Sequence, residues 1–109
     1  GYNAIVLAYG ATGSGKTFSM VGYDNNEGIM IRSLRDLFDL KEKMESKNNK
    51  IKIIMTYVEV YNETILDLLV DKSESRPLEL FEDGGKNVNI NGVTELSVNS
   101  SNEVFKLLT

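Results

Sequence analysis

The sequence predicts an α/β fold, and three observations carry that expectation. A short apolar run, Ala-Ile-Val-Leu-Ala-Tyr at 4–9, lies between Asn3 and Gly10. A helical stripe at 29–46 is followed by a β-branched and aromatic stretch, IKIIMTYVEVY, at 51–61. Between the apolar run and the first helix-competent segment sits a glycine-rich octapeptide, GATGSGKT at 10–17. Strands alternating with crossover helices mean helices packed against a sheet.

Each element has its own warrant. Residues 4–9 are apolar without alternation, which suits a strand buried on both faces, as in a parallel sheet. Residues 15–21 are suited to open a helix, so a strand-loop-helix unit is expected over 4–21. GYDNNEG at 22–28 is turn-rich and reads as an exposed loop. From Ile29 to Ser46 the apolar residues Met30, Leu34, Leu37, Phe38 and Met44 share one helical stripe, and KNNK ends it. The stretch 51–61 reads as one long strand. Asn62 is suited to cap a short apolar helix reaching Leu69. DKSESRP at 71–77 is a polar loop. Residues 78–98 read as a β insert, with Leu78–Glu82 and Val88–Ile90 alternating around a Gly-Gly turn. Ser100 and Glu103 have capping-box spacing ahead of a helix expected over 101–109.

Composition excludes several classes. The 109 residues are 41% hydrophobic and 26% charged, near globular averages and against disorder. The net charge of −4 gives no sign of a nucleic-acid partner. There is no cysteine and no histidine, so thiolate metal sites, disulfides and imidazole bases are excluded. No apolar run approaches the ~20 residues of a membrane span, and no signal peptide is visible. A cytosolic setting is the expectation, and the two N-x-S/T sequons, at Asn62 and Asn99, carry no meaning there. The chain begins without Met and ends within an apolar-periodic segment, so it reads as an internal excerpt of a longer domain.

The octapeptide carries the chemistry. Gly10, Ala11, Thr12, Gly13, Ser14, Gly15, Lys16 and Thr17 satisfy G-x-x-x-x-G-K-[ST], the P-loop pattern. Phosphate oxygens are held by a ring of backbone N–H groups that must come close, and side chains at the close-approach positions would block them. The following helix offers free N–H groups to the anion. Lys16 supplies a mobile point charge for the β- and γ-phosphates. The Thr17 hydroxyl suits Mg2+, a hard ion that takes oxygen ligands, and Ser14 adds a further donor. The plain alternative, a glycine-rich turn without ligand, leaves the preceding apolar strand and following helix as coincidence. A P-loop also needs a partner acid on another strand. Glu59 and Asp71 are the candidates, though neither follows a cleanly apolar run and Glu59 falls mid-strand; a solvated structural carboxylate is the favoured reading of both.

These residues also resemble a known family. GYNAIVLAYGATGSGKTFSMVG at 1–22 is similar to the P-loop block of kinesin motor domains. Tyr57-Val-Glu-Val-Tyr-Asn-Glu63, then Ile65 and Asp67-Leu-Leu69, resembles a second kinesin block at the right distance. Leu80-Phe-Glu-Asp83, Val88 and 92–96 resemble the family's paired strands before its third long helix. The resemblance covers essentially all 109 residues. It implies a P-loop NTPase-type three-layer sandwich, with a mostly parallel central sheet and helices on both faces, of which this chain is an internal part. It implies binding of ATP or ADP with Mg2+, and hydrolysis coupled to movement along, or depolymerisation of, microtubules. Tubulin is then the partner, with the cytoplasmic cytoskeleton as location. Nucleic acid and membrane are not partners, and oligomerisation is not encoded in this segment.

On that resemblance Glu59 becomes a structural residue of the central sheet, and 23–27 the loop interrupting the second helix. The β insert would lie toward the microtubule. Lys86 is only a guess for a tubulin contact, a solvated turn lysine being the favoured reading. Ala11, where Gln is commonest in the family, is similar to the kinesin-eight subfamily. The family's switch segments, adenine-contacting segment and neck fall outside the sequence, so the stretch alone is expected to be inactive. A non-cycling microtubule scaffold and a P-loop metabolite kinase are the alternatives. The intact loop argues against the first, and the 57–69 block against the second.

Overall fold

A computed structural model of the chain describes residues 1–23 and 25–108. In chain order the elements are α1 (Lys16–Met20), β1 (Gly22–Tyr23), β2 (Asn26–Glu27), α2 (Ile29–Glu45), β3 (Ile53–Met55), β4 (Val58–Tyr61), β5 (Thr64–Asp67), β6 (Glu79–Glu82), β7 (Val88–Asn91), β8 (Leu96–Val98) and α3 (Ser101–Leu108). They form two compact units, one of residues 1–51 with 100–105, the other of residues 52–99 with those after 105. Asp24, within the expected loop, and Thr109, the last residue of the expected final helix, lie outside the described residues.

In the first unit, residues 1–10 are irregular, which corrects the expected strand at 4–9. A strand exists only through a ladder, and among the described residues nothing pairs with this run. Its side chains are accordingly open, with Ile5 84% and Leu7 85% exposed. The segment 22–28 is more ordered than a bare loop. β1 and β2 form a small antiparallel hairpin with Gly22 opposite Glu27, and the Gly28 N–H donates to the Val21 carbonyl at 2.9 Å. α2 keeps Met30, Leu34 and Phe38 half-buried. Lys41 and Glu45 pair one turn apart at 2.8 Å, and Asn48 at φ 65 turns the chain out of the helix.

In the second unit the expected long strand is two strands with different partners. β3 pairs antiparallel with β8, Ile53 opposite Val98, whereas β4 pairs with β5. The expected helix from Asn62 is instead a hairpin. Asn62 and Glu63 have φ of 50 and 59, and Tyr61 pairs with Thr64. Two left-handed residues between paired strands make a type I′ turn, whose twist matches that of the strands. The run TILD therefore continues as β5. β6 and β7 form a second hairpin, its five-residue loop folded around the Asp83 carboxylate, which accepts the N–H groups of Gly85 and Asn87 at 2.8 and 3.1 Å. Lys86 takes the left-handed position of that loop, φ 65, and is exposed. Every ladder among the described residues is antiparallel and two-stranded, so no parallel pair stands where a mostly parallel sheet was expected. The run at 4–9 finds no neighbour among the described residues, and the run at 53–61 pairs antiparallel with β8 and β5. α3 begins in the first unit, on a cap of the expected kind, the Ser100 Oγ accepting the Glu103 N–H at 3.2 Å.

Asp67, at the end of β5, is the buried charge among the described residues of the second unit, only 4% exposed. Its Oδ1 accepts the Leu69 N–H at 2.9 Å and its Oδ2 the Thr94 N–H at 2.7 Å. Burial raises its pKa, but the donors of Leu69 and Thr94 outweigh it and hold the carboxyl below its ordinary value. The sign follows from linkage. The contribution of Asp67 is complete above the unfolded value and is lost as pH falls through the lower folded one. We expect Asp67→Asn to destabilise the motor domain containing this chain by about 1–3 kcal/mol at neutral pH, since one buried N–H loses its acceptor. Urea unfolding between about pH 6 and pH 3 checks it, because the difference from wild type shrinks as the carboxylate protonates. A difference independent of pH would show that the charge contributes nothing.

Candidate phosphate-binding site

The loop before α1 takes its shape from where glycine stands. Gly13 and Gly15 have φ of 82 and 97, left-handed values that residues with a Cβ rarely adopt. A Cβ at Gly10 would strike the Ser14 side chain. The Ser14 N–H donates to the Ala11 carbonyl at 3.0 Å, making a tight turn. Gly15 caps α1 without a side chain, so no hydroxyl or carboxylate occupies the first N–H groups of that helix. The Lys16 ammonium folds back over the loop and donates to the Gly10 carbonyl at 2.6 Å. The result is a ring of backbone whose ends are joined by the side chain that carries the charge.

A cavity of about 350 Å³ opens beside this ring. Thr12, Gly13, Gly15, Lys16 and Thr17 line it, so five of the eight P-loop residues meet there. Gly10 contributes through its bond to Lys16. Ala11 and Ser14 shape the turn, and Ser14 borders a neighbouring hollow of about 290 Å³ instead. Among the described residues no carboxylate lines the larger cavity, and Lys16 is the one cation that does. An anion meets there a positive charge, backbone donors and a hydroxyl.

Glu59 and Asp71 are exposed and belong to the other unit, Glu59 opposite Leu66 in the β4–β5 ladder. No group of acidic residues among the described residues is arranged to hold a metal. The aromatic residues are what reading the sequence missed. Phe18 and Tyr23 also line the cavity, with ring centroids 6.2 Å apart and planes at 28°. Their spacing of five residues crosses a helix end and a hairpin, so no periodic pattern links them.

A glycine ring that opens a helix, with lysine and threonine at its first two positions, defines a P-loop protein. Within that class the comparison with known proteins is specific. The kinesin motor domain family model matches residues 1–109, and the chain belongs to that family. Kinesin-like protein KIF19 of Mus musculus is 44% identical over 99% of this chain and 10% of its own length. Kinesin-like protein KIN-8B of Arabidopsis thaliana is 41% identical over 99% of the chain and 13% of its own length. Among solved structures, a KIF14 dimer with AMP-PNP in complex with a microtubule superposes with a TM-score of 0.81 at 33% identity, over 92% of this chain and 28% of that one. The chain thus spans about a tenth of these curated relatives and under a third of that solved structure.

Proposed function

We propose that this chain is the ATP-binding part of a microtubule motor that hydrolyses Mg-ATP to drive movement along, or depolymerisation of, microtubules. The observation that carries the reading is the Gly10–Thr17 ring, closed by Lys16 and lined on one side by the cavity, in a chain of the kinesin family. Solved relatives bound to microtubules with AMP-PNP and with ADP support the nucleotide and the partner together. The same reading places the chain in a three-layer sandwich. The exposed apolar run at 4–9 and the apolar stripe of α2 are the surfaces it would pack against a central sheet and its covering helices.

The geometry supports the following roles. Backbone N–H groups of Gly13 and of 15–17 donate to phosphate oxygens, while the Ser14 N–H is held by the Ala11 carbonyl. Lys16 exchanges the Gly10 carbonyl for a phosphate oxygen and neutralises charge that builds on the γ-phosphoryl group as water attacks in line. Mg2+ fits this site through the Thr17 hydroxyl. The ion is usually held by a few protein oxygens and substrate phosphates, so the missing acidic cage is no obstacle. When bound, it supplies charge neutralisation between the phosphates.

Co-sedimentation of the full motor domain with microtubules tests the proposal. We expect the pelleted fraction to rise with a non-hydrolysable ATP analogue and to fall with ADP. Binding that ignores both tubulin and nucleotide would overturn it.

A further inference from the structure

The geometry points to the Asn91–Gly92 bond as a site of spontaneous covalent modification, where asparagine converts to aspartate and isoaspartate through a cyclic imide. The reaction needs the backbone nitrogen of the following residue to reach the asparagine side chain, and glycine obstructs that approach least. Asn91 is the one asparagine of the chain followed by glycine. Both residues are exposed.

The ladder leaves the attacking nitrogen open. The Asp83 N–H donates to the Asn87 carbonyl at 2.9 Å, which makes theirs a hydrogen-bonded pair. Bonded and non-bonded pairs alternate along an antiparallel ladder, so Phe81–Asn89 and Glu79–Asn91 are bonded pairs too. The next amide, that of Gly92, then faces away from β6, and the ladder does not engage its N–H. Glu79–Asn91 is also the last pair of the β6–β7 ladder, where opening costs least. The side-chain amides of Asn87 and Asn89 are donated to the Asp83 carboxylate at 3.3 and 3.4 Å. Among the described residues no such bond holds Asn91.

The chemistry balances with water alone. The Gly92 nitrogen, after losing its proton to solvent base, attacks the side-chain carbonyl carbon of Asn91. A C–N bond forms, the bond to the side-chain nitrogen breaks, and ammonia leaves. Water then opens the imide at either carbonyl. Opening at the side-chain carbonyl gives aspartate, and opening at the backbone carbonyl gives isoaspartate, with the main chain running through the former side chain. Nothing is oxidised or reduced. Either product places a carboxylate opposite Glu79, and like charges facing each other across a ladder are destabilising. Isoaspartate also adds one main-chain atom just ahead of Thr94, whose N–H the buried Asp67 carboxylate accepts at 2.7 Å. The modification therefore strains the tie that holds the base of the hairpin.

Ageing of the full motor domain in mildly alkaline buffer at body temperature tests this. Trypsin, cutting after Lys86 and Lys106, releases one peptide that carries Asn87, Asn89, Asn91, Asn99 and Asn102. In the folded domain Asn91 is expected to convert at least about tenfold faster than the others, because its attacking nitrogen belongs to a residue without a Cβ and its strand end opens readily. Isoaspartate, read by electron-transfer fragmentation, should be among the products, since direct hydrolysis of the amide gives aspartate alone. The wild-type urea midpoint should fall as isoaspartate accumulates. Asn91→Gln, whose longer side chain closes the ring poorly, should hold its midpoint. Conversion of all these asparagines at one rate, conversion of Asn91 only after unfolding in urea, or a product free of isoaspartate would each overturn the inference. An equal fall in midpoint for wild type and Asn91→Gln would overturn its structural consequence.

Discussion

Replacing Lys16 by alanine in the motor domain that contains this chain is expected to lower microtubule-stimulated ATP turnover by roughly a hundred- to a thousandfold. That is the scale on which removing one preorganised donor slows a reaction that builds negative charge. Two losses combine here. The cavity loses the one cation that lines it among the described residues, and the ring loses the bond between the Lys16 ammonium and the Gly10 carbonyl. The second loss separates this residue from an ordinary phosphate-binding lysine on a rigid frame, because the loop's shape rests partly on the same side chain. Lys16→Arg should restore little. A guanidinium keeps the charge but is a wide planar fork, and here a compact ammonium spans from the first helical residue to the first loop carbonyl. Steady-state turnover with saturating microtubules is the measurement. Near-normal rates for Lys16→Ala would remove the loop from the mechanism.

Gly22→Ala should destabilise the same domain by about 2–4 kcal/mol, the sum of a left-handed residue with a Cβ and a forced contact in packed structure. Gly22 has φ 82, and its added Cβ would strike the carbonyl of Asn26 in the facing strand. Gly13 provides the control. It shares the φ of 82 but has open space where a Cβ would be built. Gly13→Ala should cost only the conformational part, about 1–2 kcal/mol. Urea unfolding of the two variants orders them, and equal losses would mean that the contact with Asn26 relaxes freely.

What could be read from the sequence was local. The P-loop is eight consecutive residues whose spacing alone prescribes a turn, a charge and a hydroxyl, and the ring follows from it. α2 announces itself by one stripe and ends where Asn48 accepts a left-handed turn. The second block was misread at Asn62 because a polar residue before an apolar run fits a helix cap and a hairpin turn equally well. What decides is that Glu63 joins Asn62 at positive φ and that VEVY finds TILD as a partner. The run at 4–9 reads as a strand, yet strands are made by their neighbours, and none is supplied by the described residues. In the candidate site, the P-loop residues were visible and the Phe18–Tyr23 pair was not, because the turn from α1 into β1 brings the two rings together and no period does.

The Asp67–Thr94 bond spans 27 residues of sequence and closes a loop that contains the whole β6–β7 hairpin. Its consequence is evolutionary latitude. With both ends of the excursion tied to one buried carboxylate, the hairpin between them can lengthen or change its tip without moving the strands on either side. Loop-closure entropy makes this inexpensive, since doubling a flexible loop costs only about 0.6 kcal/mol. Related chains are then free to diversify the β6–β7 tip while Asp67 and the hairpin behind it stay constant.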